Sequence, residues 1–166
     1  AGFGFFEPRT QRSFHLMFLL PLAFLLYPAS PKRSPVDRPS VPDAICAFAA
    51  VAVNFYSYWQ ANRINLRFEN VDPLTPGEWV AGVVATLLVL EALRRAVTPV
   101  LAGLLAIGIF YLFVTEYSPG MLNYRNMSTE EIVETMFLLN GMGMYGSITG
   151  ISATLVAIFI VFGAFV

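Results

Sequence analysis

An all-α membrane protein, with about five transmembrane or membrane-inserted helices and one amphipathic surface helix, is the fold class this sequence predicts. Three observations carry the expectation. Of 166 residues, 57% are hydrophobic and only 13% are charged, about half the ~25% charged fraction of a soluble domain. The apolar residues gather into runs near the ~20 residues that a helix needs to cross hydrocarbon. The ten Lys and Arg stand mostly between those runs.

The first run, residues 14–28, is short and contains Pro21. A membrane helix tolerates an internal proline because its neighbours can satisfy the freed carbonyl. Arg9 and Arg12 precede this run and are expected at an interface, with His15 one turn inside. No small-residue cleavage site follows the run, so it does not read as a signal peptide. Residues 29–42 carry Lys32, Arg33, Arg38 and several prolines, the composition of an extended aqueous loop.

The second run, residues 43–59, opens on Asp43, placed to favour the positive end of a helix dipole. It closes on Phe55, Tyr56, Tyr58 and Trp59, an aromatic belt at headgroup level. Residues 60–77 form a second polar stretch, too short in its alternation for a sheet. The third and fourth runs cover residues 78–93 and 97–115. Between them lies Glu91-Ala92-Leu93-Arg94-Arg95. Glu91 and Arg95 are four apart with the acid first, the better order for a helical pair.

Residues 116–127 form another polar loop. Ser128-Thr129-Glu130-Glu131 then fits a capping box. Ile132, Val133, Met136 and Leu139 follow at helical spacing, which predicts the amphipathic helix at the surface. Asn140-Gly141 suits its stop, and a last apolar helix is expected over residues 151–166. The chain opens without Met and stops inside that stretch, so it is expected to be a fragment of a longer polypeptide. The positive-inside rule gives a tie, five cations on each side. Their crowding favours residues 29–42 and Arg94-Arg95 as cytoplasmic.

The net charge of −1 supplies no basic field for nucleic acid. A single cysteine, Cys46, excludes a disulfide within the chain and packs as a small hydrophobe. A single histidine, His15, excludes bis-histidine haem ligation within the chain. No metal-ligand spacing and no nucleophile with its base stands out, so no enzyme and no cofactor is expected. Glu91, Arg94 and Arg95 are the charges nearest a membrane run. Intramembrane ionisable groups are functional candidates, but at a boundary these three read as a structural anchoring cluster. Gly141-Met142-Gly143-Met144-Tyr145-Gly146 matches G-x-G-x-x-G literally. A dinucleotide site would need a preceding strand. The better reading is a hinge of Gly141, Gly143, Gly146 and Gly150 where the chain changes direction, with Gly146 and Gly150 four apart for close helix contact.

Three motifs in order resemble a known family. They are Leu22-Ala23-Phe24-Leu25-Leu26-Tyr27-Pro28 before the basic loop, Val89-Leu90-Glu91-Ala92-Leu93-Arg94-Arg95, and Gly146-Ser147-Ile148-Thr149-Gly150-Ile151-Ser152-Ala153-Thr154 running into Phe162-Gly163-Ala164-Phe165. From about Gln11 onward the chain is similar to the fused membrane subunit of tripartite ATP-independent periplasmic (TRAP) transporters of the TAXI type. The resemblance implies a sodium-coupled importer of organic anions, often carboxylates, in a bacterial or archaeal inner membrane. Its partners would be an extracytoplasmic substrate-binding protein, the remainder of the transporter and the lipid bilayer. Residues 1–126 would be the small membrane domain, lacking its first helix, and residues 127–166 the start of the large transport domain. Sodium would be the coupling ion of the full-length protein. Substrate- and ion-binding residues would lie beyond Val166, leaving this portion as scaffold. A membrane anchor or assembly subunit of another bioenergetic complex is the alternative. A membrane-embedded enzyme acting on lipid is the third reading and would centre on Glu91 and the two arginines.

Overall fold

The computed structural model describes residues 7–29, 40–68, 71–115 and 127–165, and within them the chain is helical with no strand. The helices are α1 (Pro8–Leu26), α2 (Val41–Trp59), α3 (Ala61–Leu66), α4 (Pro76–Ala96), α5 (Pro99–Val114), α6 (Thr129–Val133) and α7 (Ser147–Phe165). A wide π turn, Glu134–Leu138, continues α6, and another, Ser152–Val156, sits inside α7. The loops expected over residues 29–42 and 116–127 fall mostly outside the described residues.

Three helices, Val41–Trp59, Pro76–Ala96 and Ser147–Phe165, are long and apolar enough to cross a membrane. Helix α5 is apolar but has 16 residues, which at 1.5 Å each reaches ~24 Å against a hydrocarbon core of ~30 Å. Helix α1 has 19 residues, but its apolar part begins only at Phe14. Three of the five expected inserted segments therefore meet both requirements.

Local chemistry sets the helix ends. Proline occupies the first turn of α1, α2, α4 and α5, where its missing N–H is no loss. Thr75 and Glu78 form a reciprocal cap on α4, and Ser128 and Glu131 form the expected one on α6. Thr98 accepts from the Leu101 amide at 3.3 Å, which restarts the chain as α5 after the break at Val97.

Helices α1 and α2 lie antiparallel. Phe14 packs against Tyr58 with the rings tilted by 57° and their centroids 4.7 Å apart, the Ser13 hydroxyl donates to Ser57 Oγ at 3.1 Å, and the Ala29 amide at the other end donates to Asp43 at 3.1 Å. The buried face of α2 runs through Asp43, Ala47, Ala50, Asn54 and Ser57, and that of α4 through Ala81, Ala85, Leu88 and Ala92. Both stripes alternate steps of three and four, the repeat of one helix face. Their alanines let backbones approach where lipid offers no hydrophobic push between helices. Helix α5 buries only Ala102, and α7 buries none of its described residues.

The segment expected as an amphipathic surface helix lies instead in the core. Ile132, Val133, Phe137 and Leu138 are each 5% exposed or less. Phe137, Leu138 and Tyr145 share one core with Phe24, Ala47, Ala50 and Ala85. Gly82 of α4 explains the difference: a Cβ there would meet Val133 and Phe137, so the missing side chain admits this apolar face against α4 rather than leaving it on a membrane surface. A Gly82→Ala substitution should therefore overpack the contact and lower stability by about 1–3 kcal/mol. Gly103→Ala, with nothing within 4 Å, should be neutral or mildly stabilising. Thermal unfolding of the two variants in the same detergent checks the contrast.

Candidate functional site

Polar side chains are grouped at the two ends of the bundle. At the first end the predicted cluster of Glu91, Arg94 and Arg95 is assembled on the last turns of α4. Arg94 binds Glu91 in a fork, Nε to Oε2 at 2.7 Å and Nη2 to Oε1 at 2.6 Å. Arg95 Nε donates to Glu91 Oε1 at 2.6 Å, the i,i+4 contact read from the spacing. Arg95 then turns inward. Its Nη1 donates to Asp43 Oδ1 at 2.6 Å, its Nη2 lies 3.8 Å from Cys46 Sγ, and its guanidinium sits 5.0 Å from the centre of the Phe24 ring.

Asp43 is the acceptor the sequence did not connect to this cluster. Its Oδ1 also takes the Ala29 amide and its Oδ2 takes the Ser40 amide at 3.2 Å. The carboxylate thus pins the start of α2, the end of α1 and the end of α4 together. Two acids face two arginines, and the side chains of Arg95 and Asp43 are 4% and 1% exposed.

At the other end α1 grips the chain between the Glu134–Leu138 turn and α7. Arg9 is fully buried. Its Nη1 donates to the Leu138 carbonyl at 2.7 Å and to Asn140 Oδ1 at 3.3 Å, and its Nη2 donates to the Phe137 carbonyl at 2.9 Å. One turn on, Arg12 Nη1 donates to the carbonyls of Asn140 and Tyr145. The Arg9 guanidinium lies 4.6 Å from the Tyr145 ring centre and 5.7 Å from that of Phe137. The carbonyls left over at a helix end need donors, and two arginines supply them. The sequence reading set both arginines at an interface. Only the spacing of Arg9, Arg12 and Ser13 on one side of α1 hinted at an inward face.

Further polar groups complete this end. Arg63 pairs with Glu78, and Arg67 with Glu134 at 3.0 Å. Asn140 donates to Asn65 at 2.8 Å, and Asn65 to Glu7 at 2.6 Å. The Tyr145 hydroxyl donates to Asn54 Oδ1 at 2.9 Å. Burial pushes the Tyr145 phenol above its usual range, so it is held as a neutral donor. His15 Nε2 stands 3.1 Å from Ser152 Oγ inside the π turn of α7.

The four glycines differ in their surroundings. The backbone does turn through this segment, and Gly143 alone of the described residues takes a positive φ among glycines, +62°. A Cβ on Gly143 would meet the carbonyls of Thr135 and Met136. Gly146 precedes the first turn of α7 and is packed against Met142 and Gly143. Gly150 lies inside α7, against the Arg12 guanidinium, and Gly141 faces open space. Helix α6 and a π turn precede the glycines, so the strand that a dinucleotide site requires is not there.

What these ends can do chemically is hold helices in register. Asp43, Glu78, Glu91 and Glu134 are each paired with an arginine, and Arg9 and Arg12 with main-chain carbonyls. Among the described residues, no group of three or more His, Cys, Asp or Glu is gathered to hold a metal ion. No protein-family model, no curated protein and no solved structure matches the chain.

Two expectations follow. Arg95→Ala leaves the Asp43 carboxylate buried with its cation gone, and should destabilise by about 3–5 kcal/mol, whereas Arg94→Ala removes a half-exposed partner and should change stability by no more than ~1 kcal/mol. Chemical unfolding of each variant in one detergent measures the gap. Gly143→Ala should lower stability by about 1–3 kcal/mol, since a side chain is strained at that φ, while Gly141→Ala should be close to neutral. Equal losses at the two glycines would remove the case for a required backbone shape at Gly143.

Proposed function

We propose that the chain is the scaffold portion of the membrane subunit of a sodium-coupled secondary transporter, similar to the fused TRAP subunits of the TAXI type. In this reading residues 1–126 form the small membrane domain and residues 127–166 open the large transport domain. The protein would sit as a multi-pass component of a bacterial or archaeal inner membrane and import organic anions handed over by an extracytoplasmic binding protein.

One structural observation supports a scaffold more than any other: the engagement of the charges at both bundle ends. Arg95 joins α1, α2 and α4 through Asp43 and Phe24. Arg9 and Arg12 lock α1 to the segment that leads into α7. A transport site would present unsatisfied carbonyls or helix ends to its ion and substrate. Here the carbonyls of Phe137, Leu138, Asn140 and Tyr145 already accept from Arg9 and Arg12, as suits a part that stays still while another moves. The family-like order of the three motifs supplies the transporter class, and the helices of membrane-crossing length are consistent with it.

The test uses the full-length protein in liposomes, with a sodium gradient and the purified binding protein of the same source. Uptake of a radiolabelled carboxylate should require both. Uptake indifferent to sodium and to the binding protein overturns the proposal. Co-purification with a redox centre or pigment, and no uptake, would favour an anchor subunit of another bioenergetic complex.

A further inference from the structure

Helix α7 carries no titratable side chain between Ser147 and Phe165, and two side chains of α1 hold its first turns. Arg12 donates to the Asn140 and Tyr145 carbonyls just ahead of α7 and lies against Gly150. His15, one turn further along α1, places Nε2 3.1 Å from Ser152 Oγ, where the π turn Ser152–Val156 begins. Such turns are rare and gather at functional sites. His15 is the single histidine of the chain, and histidine is the side chain whose charge ordinarily changes between about pH 5 and 8. His15 and Ser152 are both half-buried, so the ring touches α7 and still lies open to a proton.

The surroundings offer a protonated ring no counter-charge. Neither α1 nor α7 contains an acid, and Glu7, just before α1, accepts from Asn65. On the elements packed round α1, Asp43 and Glu91 bind Arg95 at the other end of the bundle, Glu78 binds Arg63, and Glu134 binds Arg67. Cys46 lies beside Arg95, Tyr56 is close to Gly77, Tyr58 packs on Phe14, and Tyr145 donates to Asn54. Among the described residues, none of these groups bonds to His15. On α1 itself Arg9 turns to the Phe137 and Leu138 carbonyls, and Arg12 stands three residues back, a spacing that sets Cβ atoms ~5–6 Å apart. A neutral ring suits this seam. A protonated one adds a second cation beside Arg12, partly removed from water and without an acid to offset it. Protonation therefore costs more while α7 is docked than after it opens, and by linkage acid favours opening. We infer that His15 is a proton-sensitive latch, holding the start of α7 on α1 when neutral and releasing it when protonated. Helix α7 buries none of its described residues, so little else opposes the release. The latch needs only the α1–α7 seam and is independent of transport.

The test measures the α1–α7 distance in the full-length protein, held in nanodiscs of phosphatidylcholine so that the lipid charge stays constant over the pH range. Cys46→Ala removes the native thiol, and spin labels go on cysteines at the exposed positions Phe18 of α1 and Leu155 of α7. Pulsed electron paramagnetic resonance should give one main distance at pH 8. At pH 5 a second, longer distance should carry at least three times the weight it has at pH 8. His15→Gln, which keeps a hydrogen-bonding side chain without the charge, should hold the pH 8 distribution at both values. His15→Lys, a permanent cation, should show the longer distance at both. An unchanged distribution between pH 8 and pH 5 in the protein with His15 intact overturns the inference. So does a pH response that survives in His15→Gln, because another group would then carry it. Both comparisons stand whether or not His15→Lys folds.

Discussion

The guanidinium of Arg9 is the point on which one end of this bundle turns. A buried cation is expensive, and its desolvation is tolerated only when several strong acceptors surround it. Here the acceptors are the carbonyls of Phe137 and Leu138 with the Asn140 side chain. Those carbonyls have their own difficulty, because the Glu134–Leu138 turn ends in the core and leaves them without helical donors. Each problem is the other's solution. Two aromatic faces, Phe137 and Tyr145, close over the charge, and Arg12 repeats the arrangement one turn later. The outcome is that a polar helix start and an irregular segment, neither stable alone in an apolar setting, become one unit.

The opposite end solves a related problem with opposite charges. Asp43 and Arg95 are 52 residues apart and meet because α1, α2 and α4 are packed side by side. The carboxylate is saturated by two amides and a guanidinium. Between the two ends the core is built of alanines and a few large side chains, so the helices touch closely along their length. Close contact there and directional bonds at the ends are complementary. The first fixes the distance between helices and the second fixes how far each slides along its neighbour.

Much of this was legible in the residues. Helix-start chemistry at Thr75, Ser128 and the prolines, and the Glu91–Arg95 spacing, are local signals, and local signals survive into the fold. The membrane character of α2, α4 and α7 follows from length and composition. What sequence reading missed was long-range. Nothing local in Arg9 says that it will meet carbonyls some 128 positions later, and a short helix beginning with two acids looks like a surface helix until Gly82 is seen to leave room for it. The candidate cluster was half found for the same reason: its i,i+3 and i,i+4 members were visible, whereas Asp43 required knowledge of which helix ends share a layer.

Helix α7 shows how far the surroundings belong to the fold. Its 19 residues are the most apolar of the candidate spans, and none of that window is buried within the chain. In water such a helix would expose a continuous greasy surface with little to hold it straight. In hydrocarbon the same helix satisfies its main chain internally, and the exposed Ile148, Phe159 and Phe162 become an ordinary lipid-facing or helix-facing surface. Its ties to the bundle sit near its start, through Arg12 on the Tyr145 carbonyl and His15 beside Ser152. The bundle therefore sets where α7 begins and in which direction it leaves, while an apolar environment beyond this core must stabilise the rest of its length.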